Sequence, residues 1–304
     1  MDKPKSAVTW ISFALLSAAG FAAMAACVRI ASSHLPQAEV VFFRNFIALL
    51  MLIPLMVGQR VSLQTSHFRL HLLRAGSGLA AMYLYFFAVN RLHLSEALLL
   101  NYTSPIFIAC FAVVWLKERW TIQRATALGV SLLGLALLFH PSAGLASLPG
   151  LLGLASGALA GLALTSVKRL SGFDQPLAIV AWFALIASVV SAVPMLWMFR
   201  WPSPETWPWL LGVGLFGSLG QLGLTRAYQQ APVTRVSPLG YTSLLFAALI
   251  GYIVWDELPD TAGISGMLCI VIAGIIVARE RPVPAIQPPS TVPILKNSSL
   301  DNKA

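Results

Sequence analysis

The sequence predicts an all-α integral membrane protein of ten transmembrane helices, arranged as a 5+5 inverted-topology repeat. Three observations carry this expectation. The chain of 304 residues is 58% hydrophobic and only 10% charged, which leaves too little polar surface for a soluble globule. Ten apolar runs, each near the ~20 residues that cross a bilayer as a helix, fill the chain from Val8 to Ala278. The second five runs repeat the first five at an offset of 139 residues, with no gap. Val28 pairs with Val167, Gly78 with Gly217, Ala88 with Ala227, and Tyr102-Thr103-Ser104 with Tyr241-Thr242-Ser243. The register continues through Phe107 and Phe246, Ala109 and Ala248, and Glu118 and Glu257. An odd number of spans per repeat inserts the second copy upside down relative to the first.

Taken in order, the first span is Val8–Ile30. It is too long for the apolar region of a cleaved signal peptide and lacks a small-residue cleavage site. Ala38–Met56 follows with an arginine, Arg44, inside it. Leu70–Val89 carries an aromatic cluster of Tyr83, Tyr85, Phe86 and Phe87, and Leu94–Leu116 holds the polar run Asn101 to Pro105. Trp120–Phe139 closes the first repeat. Leu148–Val167 has Gly153, Gly157 and Gly161 at four-residue spacing, a smooth face for close helix approach. Leu177–Phe199 contains Trp182, and Trp207–Tyr228 is again glycine-spaced, with Gly214, Gly217, Gly220 and Gly223. Val236–Trp255 repeats the Tyr-Thr-Ser run, and Thr261–Ala278 is the last span. A β-barrel would show alternation with period two, and none of these runs does. The repeats divide the chain at residues 1–140 and 141–280. After Arg281 five prolines and a polar end read as a disordered cytoplasmic tail, 281–304.

The net charge of +9 invites a nucleic-acid reading, and its placement argues against one. With the N-terminus inside, Lys3, Lys5, Arg60, Arg69, Arg74, Lys117, Arg119, Arg124, Lys168, Arg169, Arg226, Arg235 and Arg279 all fall on the cytoplasmic side. Arg29, Arg91 and Arg200 fall outside. This positive-inside bias puts both termini in the cytoplasm of a cell with this protein in its inner membrane. Cys27, Cys110 and Cys269 lie in separate spans, where thiols behave as small hydrophobes and suggest no disulfide framework.

Inverted repeats of this kind are the construction plan of many secondary transporters. The run Tyr102-Thr103-Ser104-Pro105-Ile106-Phe107, followed by Trp115-Leu116-Lys117-Glu118-Arg119 and then a helix with Gly129 and Gly134, resembles the EamA family of the drug/metabolite transporter superfamily, and the resemblance covers almost the whole chain. The resemblance implies a ten-helix, inverted-repeat carrier of amino acids, their derivatives, nucleotide-like metabolites or drugs. Phe42-Phe43-Arg44-Asn45 is similar to the branch with S-adenosylmethionine carriers. Leu244 stands where Pro105 has its repeat partner, so the second repeat is expected to run without the first one's helix break.

The candidate substrate-binding residues are Arg44, Tyr83, Glu96, Asn101, Tyr102, Ser104, Gln221, Tyr241 and Thr242. An arginine about 9 Å inside a span is costly unless paired or hydrated, which makes Arg44 a functional candidate with Glu96 as its expected partner. Glu39 lies about 140° around the same helix and is a poor partner. Pro105 cannot donate a backbone hydrogen bond, so the carbonyl of Asn101 is freed near the midplane, where inverted-repeat carriers bind solute. Tyr83 and Gln221 suit a flat organic ligand. Glu118 and Glu257 are expected to orient and cap the helix that follows each. Glu39 and Glu96 are the acidic residues placed to take up protons from an outer vestibule.

No Walker motif, zinc-ligand pair or nucleophile elbow is present, and the five histidines form no ligand pattern on one helix. The expectation is therefore a non-enzymatic carrier without a cofactor, working as a monomer or homodimer in the lipid bilayer. It would move a small-molecule solute by alternating access with proton coupling or exchange, and would bind no nucleic acid. An exporter of drugs or waste metabolites, a lipid-linked sugar flippase and a membrane-embedded enzyme remain as alternatives.

Overall fold

The computed structural model describes residues 7–89, 91–92, 94–139, 147–256 and 260–280; the proline-rich tail and Glu257 lie outside them. All regular structure among the described residues is helical. The helices are α1 (Ala7–Ala31), α2 (Gln37–Gly58), α3 (Phe68–Val89), α4 (Leu94–Asn101), α5 (Ser104–Trp115), α6 (Ile122–Phe139), α7 (Leu148–Leu170), α8 (Pro176–Met198), α9 (Trp207–Gln230), α10 (Val233–Val236), α11 (Thr242–Trp255) and α12 (Thr261–Ala278). A 3-10 turn, Ser237–Tyr241, joins α10 to α11. Among the described residues, seven stretches are long and apolar enough to cross a membrane: α1, α2, α7, α8, α12, the run Leu98–Trp115 and the run Val233–Trp255. Only helices satisfy every backbone group within a single apolar segment, which is why these runs fold this way in lipid. Large apolar side chains such as Val57, Leu196, Trp197 and Ile253 remain exposed on the outer faces of the bundle, as a lipid-solvated protein requires.

Helix starts follow ordinary capping chemistry. Ser147 accepts from the Gly150 N–H at the start of α7, and Asp260 accepts from the Gly263 N–H at the start of α12. Proline occupies the first turn of α5, α7, α8 and α9, where its missing N–H costs nothing. The helices α5 and α11 end alike. Lys117 and Asp256, one repeat offset apart, both take φ 56°, the left-handed conformation that turns the chain out of a helix.

Both repeats interrupt their fourth helix at the same place, which corrects the expectation that only the first would. In the first repeat α4 stops at Asn101 and α5 restarts at Ser104, beside Pro105. In the second, α10 gives way to the 3-10 turn and α11 restarts at Thr242. The repeat partner of Pro105 is missing, but Pro238 inside the 3-10 turn removes a different donor and breaks the same helix from its other side.

Packing pairs the helices in sets related by the repeat offset. The helix α1 lies along α9 as α3 lies along α7, and α1 meets α11 as α7 meets α4 and α5. The helices α2 and α8 pack on each other, as do α6 and α12. Glycines set the closest approaches. A Cβ added at Gly157 would sit 2.6 Å from the Thr103 hydroxyl and 2.7 Å from the Leu100 carbonyl, and one at Gly161 would sit 2.7 Å from Phe107. The glycine face of α7 is therefore pressed against the interruption between α4 and α5. Gly134 and Gly266 do the same for α6 and α12, each backbone lying where the other's side chain would be.

Candidate functional site

The two interruptions meet in space. The rings of Tyr102 and Tyr241 lie 6.0 Å apart, and the Tyr241 hydroxyl donates to the Tyr102 carbonyl at 2.7 Å. The hydroxyls of Tyr102 and Ser243 are 3.5 Å apart. Beside this junction is a cavity of about 400 Å³ walled by α1, α3, α4, α5, α7, α9, α10, α11 and the 3-10 turn. Its polar lining comes from Ser17, Tyr85, Asn101, Tyr102, Ser104, Tyr228, Ser237, Tyr241 and Ser243, and its apolar lining includes Phe21, Met24 and Leu164. A size within the ~300–1,000 Å³ of small-molecule sites and a mostly apolar wall with a few polar groups suit an organic solute. No aspartate, glutamate, lysine or arginine is among the described residues that line it.

Four of the residues expected from sequence, Asn101, Tyr102, Ser104 and Tyr241, line this cavity together. Asn101 also donates to the Ser156 hydroxyl at 3.2 Å, tying α4 to α7. Thr242 does not join them: its hydroxyl donates to the Leu239 carbonyl at 2.6 Å and turns the side chain into the backbone of the 3-10 turn. Tyr83 is 37% exposed on the outer face of α3, and it is Tyr85 that faces the cavity. Residues two apart on a helix point about 200° apart, so only one of that pair can face inward. Phe21, Met24, Tyr85 and Tyr228 are among the lining residues that sequence reasoning did not select. Of these, the aromatic cluster on the third span was the visible signal for Tyr85.

Arg44 and Gln221 form a separate polar cluster. The Arg44 guanidinium donates to the Asn45 side-chain carbonyl at 3.0 Å and lies 3.3 Å from the Met24 sulfur, and its ring neighbour is Phe183 at 5.8 Å. Phe183 is also the residue at the repeat position of Arg44. Its other cationic neighbour is Arg74, at 4.1 Å, whose guanidinium donates to the Gln221 side chain at 3.2 Å. Arg74 is thus buried within the bundle, where the sequence pattern placed it among the basic residues of the cytoplasmic boundary. Glu39 is a poor partner for Arg44, as its position around α2 required. One of its oxygens accepts from the Arg200 N–H at 2.7 Å. The side chain of Glu96, the expected partner, lies outside the described residues.

A buried ionic network ties helices together at one end of the bundle. Glu280 accepts from Arg124 at 3.1 Å and from the Thr121 hydroxyl at 2.9 Å, and lies 3.4 Å from the Arg235 guanidinium. Glu118 accepts from the Val233 and Thr234 N–H groups at 2.8 and 3.1 Å and from the Thr234 hydroxyl at 2.6 Å. It therefore caps α10 of the opposite repeat, where the sequence led us to expect it to cap the helix that follows it, α6. The reason is geometric. The left-handed turn at Lys117 aims the next side chain across the bundle, and Thr121, with its hydroxyl 3.3 Å from the Arg124 N–H, serves the start of α6 instead.

The sequence matches the EamA-like transporter family twice, over residues 8–140 and 148–279. The chain belongs to that family. Among relatives of this EamA-like transporter, the pseudopaline exporter of Pseudomonas aeruginosa is 34% identical over 286 residues, covering 92% of this chain and 99% of that one. The riboflavin transporter of Brucella anthropi is 26% identical over 256 residues, 81% of this chain and 89% of its own. The S-adenosylmethionine uptake transporter of Rickettsia felis is 23% identical over 279 residues, 91% and 94% of the two chains. A solved crystal structure shares the fold with a TM-score of 0.74 at 19% identity, over 87% of this chain and 96% of that one. The EamA-like chain is thus a multi-pass membrane transporter of the drug/metabolite superfamily, with relatives named for the transport of small organic solutes.

Proposed function

We propose that this chain is a secondary carrier of a small polar organic metabolite, an amino-acid derivative or nucleoside-like solute, in the inner membrane. The observation that carries the reading is the meeting of two repeat-related helix interruptions at one cavity of about 400 Å³. Interrupted helices at the interface of inverted repeats are where such carriers hold solute. The two tyrosine rings, tilted at 35° to each other, and Asn101 favour a flat, hydrogen-bonding body. In this reading ten spans, five per repeat (1–140 and 141–280), cross the bilayer with both ends cytoplasmic. Three contact clusters support the arrangement, because each gathers residues from one side only: Glu118, Arg124, Arg235 and Glu280 inside, Lys168 with the Tyr228 and Ala231 carbonyls inside, and Glu39 with Arg200 outside. The ionic network closes the cytoplasmic end, so the cavity belongs to an outward-facing state. Transport is driven by exchange or by protons, with Glu96 as the coupling group.

Counterflow in proteoliposomes tests this with a panel of amino-acid derivatives and nucleosides, run with and without an imposed proton gradient. Saturable exchange of one class supports the reading, and no exchange by protein shown to be folded sinks it. Cysteine labelling tests the topology: Ser62→Cys should react only from the inside and Ser203→Cys only from the outside. A second reading, outward export, is favoured by the name of the 34% identical relative. Solute accumulation in inside-out vesicles would select it.

A further inference from the structure

We propose that Arg44 and Arg74 form an anion subsite, set behind Met24, that takes the carboxylate of a solute whose body occupies the central cavity. The inference deepens the carrier reading and rests on it for the identity of the cavity. The two guanidiniums share Phe183, at 5.8 and 4.1 Å from its ring. Both are buried, with relative exposures of 9% and 4%. No carboxylate among the described residues lies within ion-pair distance of either, and the Nε of Arg74 has no hydrogen-bond partner. Glu39, on the same helix as Arg44, is turned to the Arg200 backbone. A guanidinium has five N–H donors. The only partners shown are an amide oxygen and a thioether for Arg44 and an amide oxygen for Arg74. Two cations inside a membrane bundle, with no carboxylate beside them among the described residues, are expensive and mark a functional site by default.

The bundle makes room for both. A Cβ on Gly78 would sit 2.6 Å from the Arg74 guanidinium, and one on Gly217 would sit 3.0 Å from the Met24 sulfur and 3.7 Å from the Arg44 Nε. These glycines are repeat partners, so the duplicated pair is explained by the space the two cations need. Beside Arg44 is a void of about 10 Å³ bordered by Asn45, Phe183, Ser218 and Gln221, about enough for one oxygen atom. The fork of the guanidinium pairs with carboxylate and phosphate alike, and it is the small void that suits a flat carboxylate better than a bulkier tetrahedral phosphate. Met24 touches both regions: it lines the cavity and contacts Arg44. Its unbranched side chain repacks readily, so its rotation would join the cavity to the cations.

The test compares benzoate with benzamide, two planar rings of equal size that differ in charge, at matched ionic strength. Protein in lipid nanodiscs is melted in the presence of each, with phenyl phosphate as a third probe. We expect benzoate to raise the midpoint at concentrations at least several-fold lower than benzamide, phenyl phosphate to act more weakly than benzoate, Arg44→Gln to abolish the difference, and Met24→Ala to increase benzoate affinity. Should Arg44→Gln fail to fold, Gln221→Glu supplies a second route: a carboxylate placed against Arg74 should also erase the preference. Equal responses to benzoate and benzamide in the wild type, a preference that survives both substitutions, or stronger stabilisation by phenyl phosphate would overturn the subsite. The carrier reading fails separately, by absence of counterflow for every solute. A carrier that exchanges neutral solutes and shows no benzoate preference therefore rejects only the subsite.

Discussion

Lys117 sits at φ 56° with its side chain exposed, a conformation that costs a non-glycine residue roughly 1–2 kcal/mol. Lys117→Gly should therefore stabilise the folded protein by about 1 kcal/mol, read as a higher melting midpoint in detergent. Asp256 adopts the same angle, and since aspartate tolerates it better, Asp256→Gly should gain less. The two tyrosines of the cavity are expected to separate. Tyr241 is fully buried and spends its hydroxyl on the Tyr102 carbonyl, so Tyr241→Phe should lower stability by about 1 kcal/mol. Tyr102→Phe should instead raise the half-saturating solute concentration in counterflow at unchanged stability. Equal melting midpoints for the two variants would reject that division. At this scale the sequence was informative where chemistry is rare. An arginine well inside an apolar run stands out, and a repeated Tyr-Thr-Ser run stands out. Arg74 did not, because it falls four residues after the expected start of its span and looks like a boundary charge. The choice of Tyr83 over Tyr85 failed for a related reason: on a helix apolar all round, periodicity does not tell which face meets the protein and which meets lipid.

Between helices, contact depends on glycine. A methyl group at Gly157 collides with the Leu100 carbonyl and the Thr103 hydroxyl, whereas one at Gly76 meets nothing within 4 Å. Gly157→Ala should cost about 1–3 kcal/mol as overpacking, while Gly76→Ala should be neutral or gain up to about 1 kcal/mol from helix propensity. A thermal-shift comparison of the two checks this, and equal effects would mean that α7 can slide away from the interruption without penalty. The glycine faces could be read from four-residue spacing, since nothing else in a membrane helix needs it. The second interruption could not be read from repeat alignment. The alignment pointed to the position of Pro105, and the second repeat breaks its helix with Pro238, three residues before the Tyr-Thr-Ser run. With its span taken to begin at Val236, that proline looked like an ordinary first-turn residue. The helices, their order and most of their boundaries were legible because lipid fixes the length of every apolar run; which elements touch was not, because that is decided by side-chain fit between helices far apart in the chain.

Across the whole bundle, Glu280 holds two arginines from different elements, Arg124 on α6 and Arg235 on α10. Removing the carboxylate strands both cations in a buried setting, which typically costs about 3–5 kcal/mol. Glu280→Ala should thus weaken the closed end and shift the protein toward opening there. A cysteine at Ser237, buried in the wild type at the floor of the cavity, should then react with maleimide from that side faster than in an otherwise wild-type background. An unchanged labelling rate would show that the network is not a gate. The cap made by Glu118 has a consequence for how the protein is made. Its backbone donors, at Val233 and Thr234, lie 115 and 116 residues downstream. While the ribosome is still synthesising the second repeat, that carboxylate has no structural partner, and α10 has no anion at its N-terminus until the first repeat is already in the bilayer. Neither half is a finished object, and membrane proteases will meet each one alone as an incomplete fold. Residues 1–140 expressed by themselves should therefore turn over quickly. Supplying 141–304 as a second chain should rescue them, and Glu118→Ala should weaken that rescue because it removes one of the contacts by which the first half recognises that its other half has arrived.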